Sequence, residues 1–252
     1  MNVSTHSKKP TPQLLPLMMI TLGLLSPCSG CASWKSWSLT PSTKVKSVDN
    51  EKHTSLFDSK PNTRQAQIDL AFVAAEQHEA KQELREALNK YQEVLELDKK
   101  NAVAHHRIAL ISCSLSANKQ AQLHFESALK LAPKDNDLTA DYAYWLYLND
   151  QNDQARQVTD DGLRRNPDFE RLHGIKGLLQ ARDHQFEPAV NSFVLSGCTT
   201  QQAWGNIGHV LLLEGDVQAA SYWIEHAAQG DQGSTVAKRT QNVLQASYNA
   251  PK

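Results

Sequence analysis

Two prolines 34 residues apart constrain this chain more than any other feature. The phrase Ala121-x-x-x-Phe125-x-x-Ala128-Leu129-x-x-x-Pro133 is followed by Ala155-x-x-x-Thr159-x-x-Gly162-Leu163-x-x-x-Pro167. A period of this length turns one globule into a stack of similar units. Shifting the frame by the same step toward the N-terminus gives Ala87, Tyr91, Val94 and Leu95, with Lys99 in the proline's place. A second set lies upstream in each frame: Ala71, Ala74 and Ala75, then His105, Ile108 and Ala109, then Thr139, Tyr142 and Ala143. Ala109 precedes Ala121, and Ala143 precedes Ala155, by twelve positions. Small residues so placed are what two closely crossed helices need.

The apolar positions agree. Leu84, Ala87, Leu88, Tyr91, Val94 and Leu95 recur at intervals of three and four, which is helical spacing, and no alternating stretch reads as a strand. Pro133 and Pro167 are placed to end second helices, while Asn118, Asn149 to Asn152 and Gly215-Asp216 are placed to turn the chain inside a pair.

These residues resemble the tetratricopeptide repeat, a pair of antiparallel helices of about 34 residues. Framed this way, the units are 68–101, 102–135, 136–169, 170–200 and 201–234, the fourth about three residues short. The fifth carries Trp204, Ile207, Gly208, Leu211, Gly215, Ala220 and Ala227 at the family's positions. Residues 235–248, with Val236, Val243 and Leu244 apolar, read as a capping helix over the last unit. The resemblance implies an all-α, right-handed solenoid of about five helix pairs over residues 64–248. A compact bundle with accidental periodicity is the alternative; three frames in register, with two prolines at one phase, argue against it.

Charge and chemistry narrow the function. The chain has 26 basic and 27 acidic residues, a net charge of −1. Without residues 1–31, which hold Lys8, Lys9 and no acid, the balance is 24 against 27, or −3. No basic excess is present to neutralise phosphates, so nucleic acid is not an expected partner. The ten histidines are scattered, with no HExxH, P-loop, nucleophile elbow or dinucleotide glycine pattern. No metal, no cofactor and no enzymatic activity are expected. Cys113 and Cys198 fall in repeats two and four. Each repeat touches only its neighbours, so their Cα atoms should lie well beyond the roughly 7 Å limit for a bridge. No intramolecular disulfide is expected.

The first 31 residues have a different character. Lys8 and Lys9 precede a twelve-residue apolar stretch, Leu14 to Leu25, and a small-residue ending. This is the layout of an export signal, too short to span a membrane comfortably. Ser29-Gly30-Cys31 resembles the lipobox of bacterial lipoproteins, which implies lipidation at Cys31. Cys28 stands where that pattern prefers Leu, so ordinary cleavage or an uncleaved anchor remain alternatives. Ala32 after the cysteine implies the outer membrane in the Gram-negative sorting pattern. Residues 32–63 are rich in Ser, Thr and Lys, with Pro41 and Pro61, and read as a disordered tether.

The repeat resemblance also implies a concave groove lined by the first helix of each pair. Asp69, Phe72, Glu76 and Glu79 would face it from repeat one, and Val103, His106, Leu110 and Cys113 from repeat two. Asp137, Tyr144, Tyr147 and Leu148 follow, then Arg171, Leu178 and Arg182, then Gln202, His209, Leu212 and Leu213. Phe72, Glu76, His106, Tyr144, Tyr147, Arg171, Arg182 and His209 are the candidate partner-binding residues. Some of this row is free to pack against neighbouring helices instead. The family's carboxylate clamp uses Lys and Asn where this chain has Phe72, Glu76 and His106, so that function does not carry over. The expected role is a non-catalytic protein–protein interaction scaffold, an adaptor or assembly factor of the bacterial cell envelope. Its layout resembles that of the pilot lipoproteins of pilus and secretion systems. The alternative is an accessory regulatory subunit of a cell-wall or sugar-processing enzyme.

Overall fold

The computed structural model of the chain describes residues 63–229. The export signal, the tether and the capping helix expected over 235–248 fall outside the described residues. Ten helices follow one another: α1 Arg64–Ala80, α2 Leu84–Leu97, α3 Ala102–Ser114, α4 Asn118–Leu131, α5 Asn136–Leu148, α6 Asn152–Arg165, α7 Glu170–Arg182, α8 Phe186–Leu195, α9 Thr200–Leu213 and α10 Val217–Gln229. No strand occurs among the described residues. Each odd-numbered helix packs on the next even-numbered one, and α5, α7 and α9 also pack side by side. The result is a stack of five helix pairs.

Why the chain turns where it does is written in its backbone. Every turn within a pair is three residues long, and its middle residue is left-handed. These are Gln82, Ser116, Asp150, His184 and Gly215, with φ of 62°, 58°, 58°, 57° and 84°. The first four are spaced by the repeat period itself. Each turn is closed by a bond that reaches five residues back, such as Ala117 N–H to the Ser112 carbonyl at 2.8 Å and Gln185 N–H to the Gln180 carbonyl at 2.9 Å. Such bonds satisfy the carbonyls that a helix end leaves open, and they offset the roughly 1–2 kcal/mol that a non-glycine residue pays in this conformation. Asn118, expected in a turn, is instead the first residue of α4; Ser116 supplies the left-handed step.

Links between pairs work differently. Thr63, Asn101, Asp135 and Thr199 each accept a backbone N–H at the start of α1, α3, α5 and α9, and Thr199 forms a full capping box with Gln202. Side-chain caps of this kind contribute about 1 kcal/mol each. By contrast α2, α4, α6 and α8 have none. Pro133 and Pro167 lie two residues beyond the ends of α4 and α6, where they bar continuation of the helix.

The short fourth unit has a local cause. Helix α8 has 10 residues where α2, α4 and α6 have 14. The missing turn comes from the second helix, so the row of first helices continues past it.

Small residues sit where the pairs cross. Ala75, Ala87, Ala109, Ala121, Ala143, Ala155, Ala189 and Ala220 are all fully buried. Gly177 and Gly208 take the remaining two places. A Cβ on Gly177 would lie 2.8 Å from the Phe193 ring. On Gly208 it would lie 2.6 Å from Ile224 Cγ1 and 3.2 Å from the Ala220 carbonyl oxygen, which cannot move aside. One large residue per second helix fills the space this leaves: Tyr91, Phe125, Phe193 and Ile224. Repeat three departs from the scheme. It has Thr159 at that place and compensates with α5, which buries ten of its thirteen residues.

The buried side chains form two clusters. One joins α1 and α2 to Ala104, Ile108 and Ile111 of α3. The other runs from Ala109 and Cys113 of the same helix to Ile224 of α10. Cys113 is a free buried thiol, so it is not joined to Cys198, in line with the repeat between them.

Candidate functional site

The first helices bring equivalent positions of successive repeats together, and charge is arranged along that row. Asp141 of α5 is the centre. Its Oδ2 accepts from His106 Nε2 of α3 at 2.9 Å, and its Oδ1 accepts from Arg171 Nη2 of α7. Arg171 also donates to Asp137 Oδ1 at 2.8 Å. Burial alone would raise the Asp141 pKa. The His106 hydrogen bond and the Arg171 charge outweigh it and hold the carboxyl below its ordinary value. Burial opposes the charge on Arg171 as well, and Asp141 and Asp137 more than offset it.

A second set lies toward the other end of the same helices. The Arg182 guanidinium rests 4.2 Å from the centroid of the Tyr147 ring, a cation–π contact. It donates to Asp150 Oδ1 at 3.1 Å and Asn152 Oδ1 at 2.9 Å, and its Nε lies 3.5 Å from Glu214. Burial pushes the Tyr147 hydroxyl up to about 12, with Arg182 pulling the other way. Tyr144 stacks on Tyr147 with centroids 6.2 Å apart, and burial raises its hydroxyl pKa well above the ordinary value.

At the N-terminal end, Glu79 is 3 % exposed. Tyr91 donates to its Oε2 at 2.7 Å, Arg107 lies 4.0 Å from the same oxygen, and Oε1 has no hydrogen-bond partner. Burial raises the Glu79 pKa, against the pull of Tyr91 and Arg107. Phe72 and Glu76 are half-buried beside it, and Phe72 meets the Tyr91 ring edge-on at 5.3 Å.

The candidate residues therefore sort by surroundings. Tyr144 and Tyr147 are buried, Arg171 and Arg182 spend their charge on neighbouring repeats, and His106 is hydrogen-bonded to Asp141. Phe72 and Glu76 keep part of their surface open. Asp141, Arg107 and Glu214 complete the networks and were not picked out from sequence. A lone carboxylate inside the apolar run Leu138–Leu148, with bases one repeat away on each side, is the signal that could have revealed Asp141. Cys113 is no nucleophile, since burial, with Asp141 nearby, raises its thiol pKa far above the ordinary range. No group of three or more His, Cys, Asp or Glu side chains that could hold a metal occurs among the described residues.

His209 of α9 is also buried, and its Nε2 has no partner. Burial pushes its pKa down to about 4 from 6.5. The folded state therefore binds fewer protons than the unfolded state between these values, and stability falls as pH drops through that window. By linkage, the group costs the fold about 2 kcal/mol between pH 7 and pH 5. Urea melts at both pH values should show His209→Leu losing about that much less than the parent; equal losses would remove His209 from the account.

The comparisons with known proteins agree with this architecture. A tetratricopeptide-repeat family profile matches residues 114–179. No curated protein sequence matches the chain. Among solved structures, YrrB, described as a tetratricopeptide-repeat protein with an unusual peptide-binding site, is 18% identical with a TM-score of 0.53. The match covers 73% of this chain and 100% of that one. PilW, described as a type IV pilus biogenesis factor, is 20% identical with a TM-score of 0.53, over 73% of this chain and 95% of its own. PilF of Pseudomonas aeruginosa is 17% identical with a TM-score of 0.52, over 73% and 86%.

The chain thus has an all-α fold of the tetratricopeptide-repeat type, a class that serves as scaffolds for protein or peptide partners. The repeat matched in sequence runs from the turn before α4 to within α7.

Proposed function

We propose that this chain is a lipid-anchored, non-catalytic adaptor or assembly factor of the bacterial cell envelope. It holds a protein or peptide segment along its row of first helices. The observation that carries this reading is the joining of two parts. A leader ending in Ser29-Gly30-Cys31 is tied through residues 32–63 to a helical-repeat fold. A lipid at Cys31 would keep the repeats close to a membrane, and Ala32 favours the outer one. PilW and PilF support the reading, since each matches most of its own length to these repeats and one is described as a pilus biogenesis factor. YrrB supports a peptide as the occupant.

Within the row, Phe72 and Glu76 are the open contacts. The buried Tyr147 and the half-buried Arg171 and Arg182 act by holding neighbouring helices at a fixed spacing, so that the partner meets a preformed surface. Two experiments test the parts separately. Cys31→Ser should abolish incorporation of labelled fatty acid and release the protein from membranes; a labelled, membrane-bound variant defeats the anchor. A photo-crosslinking amino acid at position 76 should capture a partner that the same probe at the exposed Glu86 of α2 does not. Equal capture at the two positions defeats the groove.

A further inference from the structure

Two histidines 19 residues apart meet inside the second helix pair. His105 is in the first turn of α3 and His124 is midway along α4. Their Nδ1 atoms lie 3.0 Å apart and their ring centroids 5.0 Å apart, with the rings inclined at 39°. His105 Nε2 is 3.2 Å from the Lys99 carbonyl oxygen. A carbonyl can only accept, so Nε2 carries the hydrogen and the Nδ1 lone pair of His105 faces His124. An outer N–H anchored on a backbone carbonyl is the arrangement that orients metal-ligating histidines.

We propose that His105 and His124 form a two-imidazole site for a divalent transition ion of the zinc type. Metal–nitrogen bonds of about 2.0–2.1 Å to one ion place two imidazole nitrogens roughly 3.0–3.4 Å apart, and the pair already stands at that separation. Both rings are half-buried, so one flank of the site reaches solvent. No third protein ligand joins them among the described residues. Water fills the remaining positions, and the site is open and exchangeable, unlike a closed structural one.

Binding needs one rearrangement. In the free protein His124 Nδ1–H donates to His105 Nδ1. To bind, His124 moves its hydrogen to Nε2 through water, and both Nδ1 lone pairs go to the ion, which sheds two waters. Imidazole suits zinc, nickel and copper and discriminates against magnesium and calcium, which take oxygen donors.

The test is calorimetric titration of the tag-free full chain with zinc chloride, alongside His105→Ala and His124→Ala. The expected result is a one-to-one isotherm that weakens at least tenfold in either variant, and no response to magnesium chloride. No zinc binding by the parent, or an isotherm unchanged in either variant, overturns the proposal. A second measurement needs no variant. Substoichiometric nickel chloride should broaden the imidazole NMR signals of these two residues before those of the other eight. Uniform broadening of all ten overturns it equally.

Discussion

Asp141→Ala should destabilise the protein by about 3–5 kcal/mol, the usual cost of removing one partner from a buried charge pair. The Asp141 side chain is 10% exposed and holds both His106 and Arg171. Its loss leaves Arg171, itself largely buried, with Asp137 alone, whose side chain is 64% exposed. Most of the penalty is the uncompensated guanidinium and not the vanished attraction. Two companions make that distinction. Asp137→Ala should cost under about 1 kcal/mol, as for an exposed pair. Asp141→Ala combined with Arg171→Met should recover much of the loss, because the double change removes both charges together. Urea denaturation of the four proteins decides it. If Asp141→Ala melts with the parent, the ladder is not holding α3, α5 and α7 together.

Phe125→Ala should cost a similar amount, about 3–5 kcal/mol, from lost burial and an unfilled cavity. The ring is fully buried at the junction of repeats two and three. Its centroid lies 5.4 Å from Tyr142, 6.0 Å from Trp145 and 6.1 Å from His106. Ala109 and Ala121, fully buried at the same crossing, have no bulk to fill the space. Leu123, on the same helix but 62% exposed, is the control. Its replacement by alanine should stay within about 0.5 kcal/mol. Thermal melts giving equal losses for the two would mean that α4 is packed otherwise than described.

What could be read from the sequence and what could not have different physical origins. The crossing of two helices tolerates only small residues, so Ala75, Ala109, Ala143 and their partners twelve positions on repeat visibly. Proline two residues past a helix end is nearly as legible. The left-handed turns are invisible for the opposite reason. Gln82, Ser116, Asp150 and His184 share no chemistry, because the flanking helices and their closing hydrogen bonds impose the conformation. The shortened α8 could be sensed only as a missing count of residues; its place in the second helix needed coordinates. Among the site residues, resemblance could assign Tyr144, Tyr147, Arg171 and Arg182 to one row. It could not show that the polar groups of Tyr147, Arg171 and Arg182 would be answered from adjacent repeats, since that depends on how far each pair is rotated on the last. The meeting of His105 with His124 is similarly a product of the crossing angle within one pair.

The division of the buried side chains at α3 bears on how the molecule comes apart. Ala104, Ile108 and Ile111 face one cluster, while Ala109 and Cys113 face the other. A stack whose units touch only their neighbours stores its cooperativity in those interfaces. The charge ladder binds α3, α5 and α7 across two of them, while Glu79 of α1 approaches Arg107 of α3 at 4.0 Å. The first helix pair, with a buried cluster of its own, is therefore a unit that can open separately from the rest. It is also the pair that follows residues 32–63 directly. Under the proposed anchoring at Cys31, tension between the N-terminus and a bound partner would reach α1 and α2 first.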